Sequence, residues 1–165
     1  MTAELRQATA PADVALARVL FVEYARWLNV DLCFQGFDEE LATLPGAYAP
    51  PLGRLLVAGE PGAAFGCIAL RPLETRDDGL LGPVAPTGEV KRLYVQPEYR
   101  QQRWGQRLAE ALIDDARRIG YRELKLDTLE WMTAARDLYT RLGFRECAPY
   151  YRNPLPGVVY MACSL

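Results

Sequence analysis

The stretch from Glu89 to Gly120, EVKRLYVQPEYRQQRWGQRLAEALIDDARRIG, constrains the fold more than any other part of the chain. EVKRLYV is a strand-like run ended by Pro97, which lacks the N–H that a ladder needs. From Trp104 the period changes. Trp104, Leu108, Ala111, Leu112 and Ile119 recur at helical spacing, Asp115 is off the stripe, and Gly120 closes the helix. A strand that feeds a helix through a tight turn leaves backbone N–H groups unpaired at the helix N-terminus, and the helix dipole there favours an anion. Gly105 can let a ligand approach the backbone, and Arg100, Arg103 and Arg107 bring positive charge to the same end. On these residues alone, a phosphate cradle and an ordinary helix start with solvated arginines are both open.

The rest of the chain surrounds this unit with similar elements. ELRQATA reads as a short strand, and Pro11 opens a helix whose stripe is Val14, Leu16, Ala17, Leu20, Phe21, Tyr24 and Leu28. GFDEELATLPG reads as a second, short helix, and GRLLVAGEPGAAFGCIALRPL as a hairpin turning at Glu60-Pro61-Gly62. Residues 74–88, rich in Gly and Pro, read as a loop. After the central unit come the strand YRELKLDTL, the helix TAARDLYTRLGF and two final strands, FRECAPYY and GVVYMACSL. The order β-α-α-β-β-β-α-β-α-β-β predicts one domain over residues 1–165, a mixed α/β sheet covered by helices.

Composition narrows the chemistry. The 165 residues contain no histidine, which removes Ser-His-Asp and Cys-His machinery and histidine metal sites, so no metal is expected. Proton transfer must then use a carboxylate, tyrosine, lysine, cysteine or water. The four cysteines, Cys33, Cys67, Cys147 and Cys163, form no CxxC pair and read as free thiols. A net charge of −2 gives no general electrostatic case for nucleic acid or an anionic membrane. No apolar stretch is long enough to span a bilayer, and the N-terminus carries acidic and polar residues where a secretion signal would be basic and then apolar. A cytoplasmic location is the expectation.

The stretch from Glu89 to Phe144 resembles the GNAT superfamily of N-acetyltransferases. Val95, Pro97, Arg100 and Gly105 match its acetyl-CoA-binding turn, and Leu108, Leu112 and Ala116 match the apolar face of the helix that follows. Ala135, Leu138, Tyr139, Gly143 and Phe144 match a second segment of the superfamily, in the right order with one strand between. Two positions depart from the pattern: Arg103 stands at the motif's first glycine, and Gln101 replaces a glycine that many members carry.

The resemblance implies a single GNAT-type domain. It would hold a twisted mixed sheet of about seven strands, a V-shaped splay between strands 4 and 5, and about four flanking helices. It implies acetyl-CoA as cosubstrate, with the pantetheine arm along Leu93, Tyr94 and Val95. The pyrophosphate would rest on backbone amides of Gln101, Gln102, Arg103, Trp104, Gly105 and Gln106, with Arg100 beside them. Tyr139 would serve the departing thiolate, and Glu89 would be the general base, with Asp127 or ordered water as alternatives. The acceptor, a small-molecule or peptide amine, would meet Tyr24, Phe34 and Tyr151, with Trp27, Gln35, Phe37 and Tyr150 in the same regions. Asp31, Asp38, Glu39 and Glu40 could favour a cationic amine. Two further readings stay open: an N-acyltransferase using longer acyl-CoA, and a non-catalytic CoA-binding or sensing module. The expected assembly is a monomer or a homodimer.

Overall fold

Alternation along the strands sorts the apolar residues onto two faces, and each face takes one long helix. The computed structural model describes residues 2–73 and 86–165, apart from the side chain of Phe34. Its strands are β1 (Glu4–Gln7), β2 (Arg54–Gly59), β3 (Gly66–Pro72), β4 (Thr87–Val95), β5 (Glu123–Leu129), β6 (Arg145–Glu146) and β7 (Val158–Ser164). They form one sheet in the order β1-β2-β3-β4-β5-β7-β6. The helices are α1 (Pro11–Leu28), α2 (Phe37–Thr43), α3 (Trp104–Ile119) and α4 (Thr133–Arg141).

Leu55, Val57, Cys67 and Ala69 point to one face and pack with Val14, Ala17, Leu20 and Phe21 of α1. Leu56, Ile68, Leu70 and Leu124 point to the other and pack with Leu108, Leu112 and Ala116 of α3. Among the described residues no helix is long and apolar enough to cross a membrane.

All neighbouring strands are antiparallel except β4 and β5, which run parallel. That parallel pairing covers only Thr87–Glu89 against Glu123–Lys125. Beyond it the strands part, so residues 90–95 of β4 and 126–129 of β5 face each other across an open V. Gly88 sits where the strands still touch. A Cβ there would lie 2.7 Å from Leu70 Cδ1 and 2.9 Å from Leu124 Cδ2.

β4 carries a bulge at the mouth of this V. Cys67 pairs with Tyr94 and Ala69 with Lys91, so Arg92 and Leu93 together occupy one position opposite Ile68. Arg92 takes the left-handed angle φ 61° at this bulge. Its guanidinium is buried and donates to both carboxylate oxygens of Glu40 on α2, at 2.9 and 3.0 Å. It also lies 5.1 Å from the centre of the Phe37 ring. The Cys67 thiol donates to the Arg92 carbonyl at 3.3 Å.

Two sequence expectations are corrected. Of the loop expected over 74–88, residues 74–85 lie outside the described residues, while Thr87 and Gly88 already belong to β4. FRECAPYY is not a strand throughout: β6 holds only Arg145 and Glu146. Pro149 cannot continue a ladder, and Tyr150 and Tyr151 are both buried with their hydroxyls on carboxylates (below) rather than alternating across a sheet. The tight turn after β4 takes the form of a 3-10 helix, Pro97–Gln102, leading to α3.

Candidate active site

The lower part of the V is built at the start of α3. Pro97 opens the 3-10 helix, Arg103 reverses the chain at φ 61°, ψ 19°, and α3 begins at Trp104. Among the described residues no side chain caps the N-terminus of α3. The Arg107 N–H returns to the Arg103 carbonyl at 3.1 Å, whereas the amides of Trp104, Gly105 and Gln106 belong to the first turn, which has no carbonyl ahead of it.

Arg100 fixes the approach to this turn. Its Nε donates to the Val95 carbonyl at 2.8 Å, and its guanidinium lies 4.8 Å from the Trp27 ring centre and 5.7 Å from that of Tyr94.

Gly105 is not required by the fold. Its φ is not in the left-handed region, and a Cβ there would meet only Leu138 Cδ2 at an ordinary 3.8 Å. The space above it opens into a groove of about 710 Å³. Leu93, Tyr94 and Val95 form one wall, Arg103, Gly105 and Gln106 the floor, and Met132, Ala135, Leu138 and Arg141 the other wall. Trp27 stands at its rim.

A second, smaller cavity of about 60 Å³ lies deeper in the V. It shares Leu93, Met132 and Ala135 with the groove, so the two meet there. Its polar lining residues are Tyr24, Gln35, Lys91, Arg92, Asp127, Thr128, Asn153 and Tyr139. The Tyr139 ring packs edge-on against Phe144, and its hydroxyl has no hydrogen-bond partner among the described residues. Burial, aided by the charge of Asp127, pushes the Tyr139 phenol well above its ordinary pKa. Burial likewise pushes Tyr24 up to about 12, against the opposing charge of Arg92.

Asp127 anchors the polar wall. Its Oδ2 accepts a very short hydrogen bond from the Tyr151 hydroxyl and another from Asn153 Nδ2 at 2.9 Å. Lys91 Nζ lies 3.7 Å from Oδ1 and donates to Gln35 Oε1 at 3.2 Å. Gln35 Nε2 closes the ring by donating to the Tyr151 hydroxyl at 3.0 Å. Burial raises the Asp127 carboxyl, but Lys91 and the hydrogen bonds from Tyr151 and Asn153 outweigh it, so its pKa falls below the ordinary value. Lys91 is pulled down by burial, against the raising charges of Glu89 and Asp127.

The residues singled out in the sequence divide among these places. Leu93, Tyr94, Val95, Arg100, Arg103, Gly105 and Gln106 line the groove, with Gln101 and Gln102 exposed beside it. Trp104 turns inward, its ring 5.1 Å from Phe65 and under the Arg107 guanidinium at 3.8 Å, so only its backbone faces the turn. Tyr24 and Tyr139 line the inner cavity. Tyr151 reaches it through Asp127, and of Phe34 only the backbone is described.

Glu89 is 2% exposed and does not line the cavity. Among the described residues its hydrogen bonds and ion pairs do not go to the adjacent Lys91 or Arg92, although its charge still raises Lys91. Oε1 is bound by Arg71 at 2.8 and 2.9 Å, and Oε2 accepts from the Tyr150 hydroxyl at 2.7 Å. Glu40, considered for binding a cationic amine, is committed to Arg92. Lys91 and Asn153 were not singled out as site residues. A lysine inside an apolar strand was a legible signal of a buried charge, but nothing local marks Asn153.

Residues 21–144 match the model of the acetyltransferase (GNAT) family. An uncharacterized N-acetyltransferase of Schizosaccharomyces pombe is 41% identical over 156 residues, covering 94% of this chain and 90% of its own. Among solved structures, an acetyltransferase from Streptococcus agalactiae superposes with a TM-score of 0.76 at 19% identity, covering 99% of this chain and 98% of that one. PaiA N-acetyltransferase from Thermoplasma acidophilum, solved with coenzyme A, superposes with a TM-score of 0.67 at 15% identity over the full length of both.

Proposed function

Because the chain belongs to the acetyltransferase (GNAT) family, we propose that it transfers an acetyl group from acetyl-CoA to a primary amine by direct attack. The observation that carries this reading is the junction at Leu93, Met132 and Ala135. There a long groove ending on an uncapped helix N-terminus meets a small polar cavity with a phenol on its wall.

The residues fit the cosubstrate. The first-turn amides of α3, with Arg103 and Arg141 nearby, suit a pyrophosphate, and the free side of Leu93–Val95 suits the amides of a pantetheine arm. Bound there, acetyl-CoA supplies an activated thioester. Tyr139 donates a hydrogen bond to the sulfur as it leaves. Its raised pKa keeps it protonated, and it exceeds that of a thiol near 8.5, so the phenol stabilises the thiolate more than it transfers a proton outright. The Leu93 region of the bulged strand offers backbone N–H groups to the thioester carbonyl.

Glu89 has both oxygens engaged, so we assign the loss of the amine's proton to water in the cavity rather than to a direct contact with Glu89. Asp127, held below the ordinary carboxylate range, is already ionised at neutral pH and adds no limb there. The acidic limb of kcat/KM should therefore move with the pKa of the acceptor amine across a series of acceptors. A limb that stays fixed for every amine and disappears in Glu89→Gln would make Glu89 the base.

The cofactor assignment is tested by thermal unfolding with acetyl-CoA against equal ADP, because a ligand that binds only the native state raises Tm. Two variants give opposite signs in one experiment. Gly105→Ala should stabilise the unliganded protein by up to about 1 kcal/mol, since alanine suits a helix better. It should also weaken acetyl-CoA binding about tenfold by filling the space over the turn, roughly 1.4 kcal/mol. Arg103→Gly should stabilise the unliganded protein by about 1–2 kcal/mol by relieving the left-handed arginine. It should nevertheless weaken acetyl-CoA binding by about 1–3 kcal/mol, as for a lost charged hydrogen bond to phosphate. No Tm shift with millimolar acetyl-CoA overturns the assignment. Tighter binding by Arg103→Gly would leave the arginine without a phosphate role.

A further inference from the structure

The inner cavity holds a buried cation and a buried anion that stand near each other without closing. The side chains of Lys91 and Asp127 are 4% and 10% exposed, and Nζ and Oδ1 are 3.7 Å apart, longer than a hydrogen bond. Bringing both charges out of water is costly unless their remaining hydrogen-bonding capacity is used.

Among the described residues that capacity is not filled. Asp127 Oδ2 is taken by Tyr151 and Asn153, but among the described residues Oδ1 has only the long approach of Lys91. An ammonium carries three N–H donors, and Lys91 places one on Gln35. Arg92, the other cation on this wall, is neutralised by its two bonds to Glu40. One acceptor oxygen and one cationic donor are thus left a few ångströms apart, in a cavity small enough for a compact head group to fill.

We propose that the acceptor is a free α-amino acid, its carboxylate on Lys91 Nζ and its amine beside Asp127 Oδ1. This rests on the acetyltransferase reading and narrows it. An α-amino acid carries opposite charges on one carbon, so it can complete both half-used partners at once. A simple amine or a peptide N-terminus brings no α-carboxylate and leaves Lys91 as it is. The ammonium loses one proton to water before reaction. The neutral nitrogen then forms the bond to the acetyl carbon as the carbon–sulfur bond breaks. The nitrogen's second proton is released, and the thiolate takes up one, giving the N-acetyl amino acid, CoA thiol and one net proton.

The test is a thiol-release panel of the free amino acids with acetyl-CoA. The best acceptor is compared with its carboxamide, which also stands for a peptide N-terminus, and with its decarboxylated amine. The free acid should exceed both in kcat/KM by about 10- to 100-fold, the value of one charged hydrogen bond. In Lys91→Gln the ratio of acid to carboxamide should fall toward one, while acetyl-CoA still raises Tm. The wild-type panel stands alone if that variant does not fold. Preference for the carboxamide or amine, or no acetylation of any amino acid by a protein that acetyl-CoA stabilises, overturns the proposal and leaves the cosubstrate reading intact. Absence of the Tm shift would instead bring down the reading on which it rests.

Discussion

Glu40→Ala should destabilise the protein by about 3–5 kcal/mol, the usual consequence of stranding a buried charge. Arg92 is 4% exposed, and both Glu40 oxygens are its hydrogen-bond acceptors. Burial opposes the Arg92 charge, and the bonds to Glu40 more than restore it, so its pKa ends above the ordinary value. The nearby Tyr24 and Phe37 rings offer only weak cation–π compensation. Urea unfolding measures the loss directly. Glu40→Leu with Arg92→Met removes both charges, so the double variant should recover much of the stability lost by Glu40→Ala. A loss under about 1 kcal/mol for Glu40→Ala would mean that water reaches Arg92 and that the pair does not hold the bulge.

Tyr139→Phe should reduce turnover about 10- to 1000-fold, the range for one acid or oxyanion-type donor. The substitution keeps the ring against Phe144 and removes a hydroxyl with no protein partner among the described residues, so stability should barely change. The KM for acetyl-CoA should also change little, because the bond to sulfur strengthens only as charge develops. Burial and nearby negative charge keep the phenol's pKa above its ordinary value, so Tyr139 adds no limb to the pH profile near neutrality. Unchanged turnover, with chemistry shown to limit the rate, would make Tyr139 a packing residue.

The central strand, turn and helix were legible because their period changes where the chain changes direction. Pro97 and Gly120 mark the bounds of the turn and of α3, and both stand where the structure uses them. The seven-stranded mixed sheet followed from element order together with the family resemblance. The bulge was not legible. It contains no glycine, and its left-handed residue is an arginine held by a glutamate 52 residues away in sequence. Tyr150 and Tyr151 looked like strand residues because β-propensity does not distinguish a pleated position from a hydroxyl aimed at a buried carboxylate. The Lys91–Asp127–Asn153 wall comes from three separate segments, so only the folded chain brings it together.

Among the described residues, the short parallel contact between β4 and β5 gives this sheet four free margins instead of two. The outer pair belongs to β1 and β6, while the inner pair, residues 90–95 and 126–129, lies within the sheet itself. An exposed margin of backbone donors and acceptors invites a foreign chain to add a strand, the usual route to aggregation. The inner margins face a cleft lined by Tyr24 and Leu28 of α1 and by Ala135 and Tyr139 of α4. The fold thereby keeps a row of main-chain recognition groups inside the sheet rather than at its outer edges.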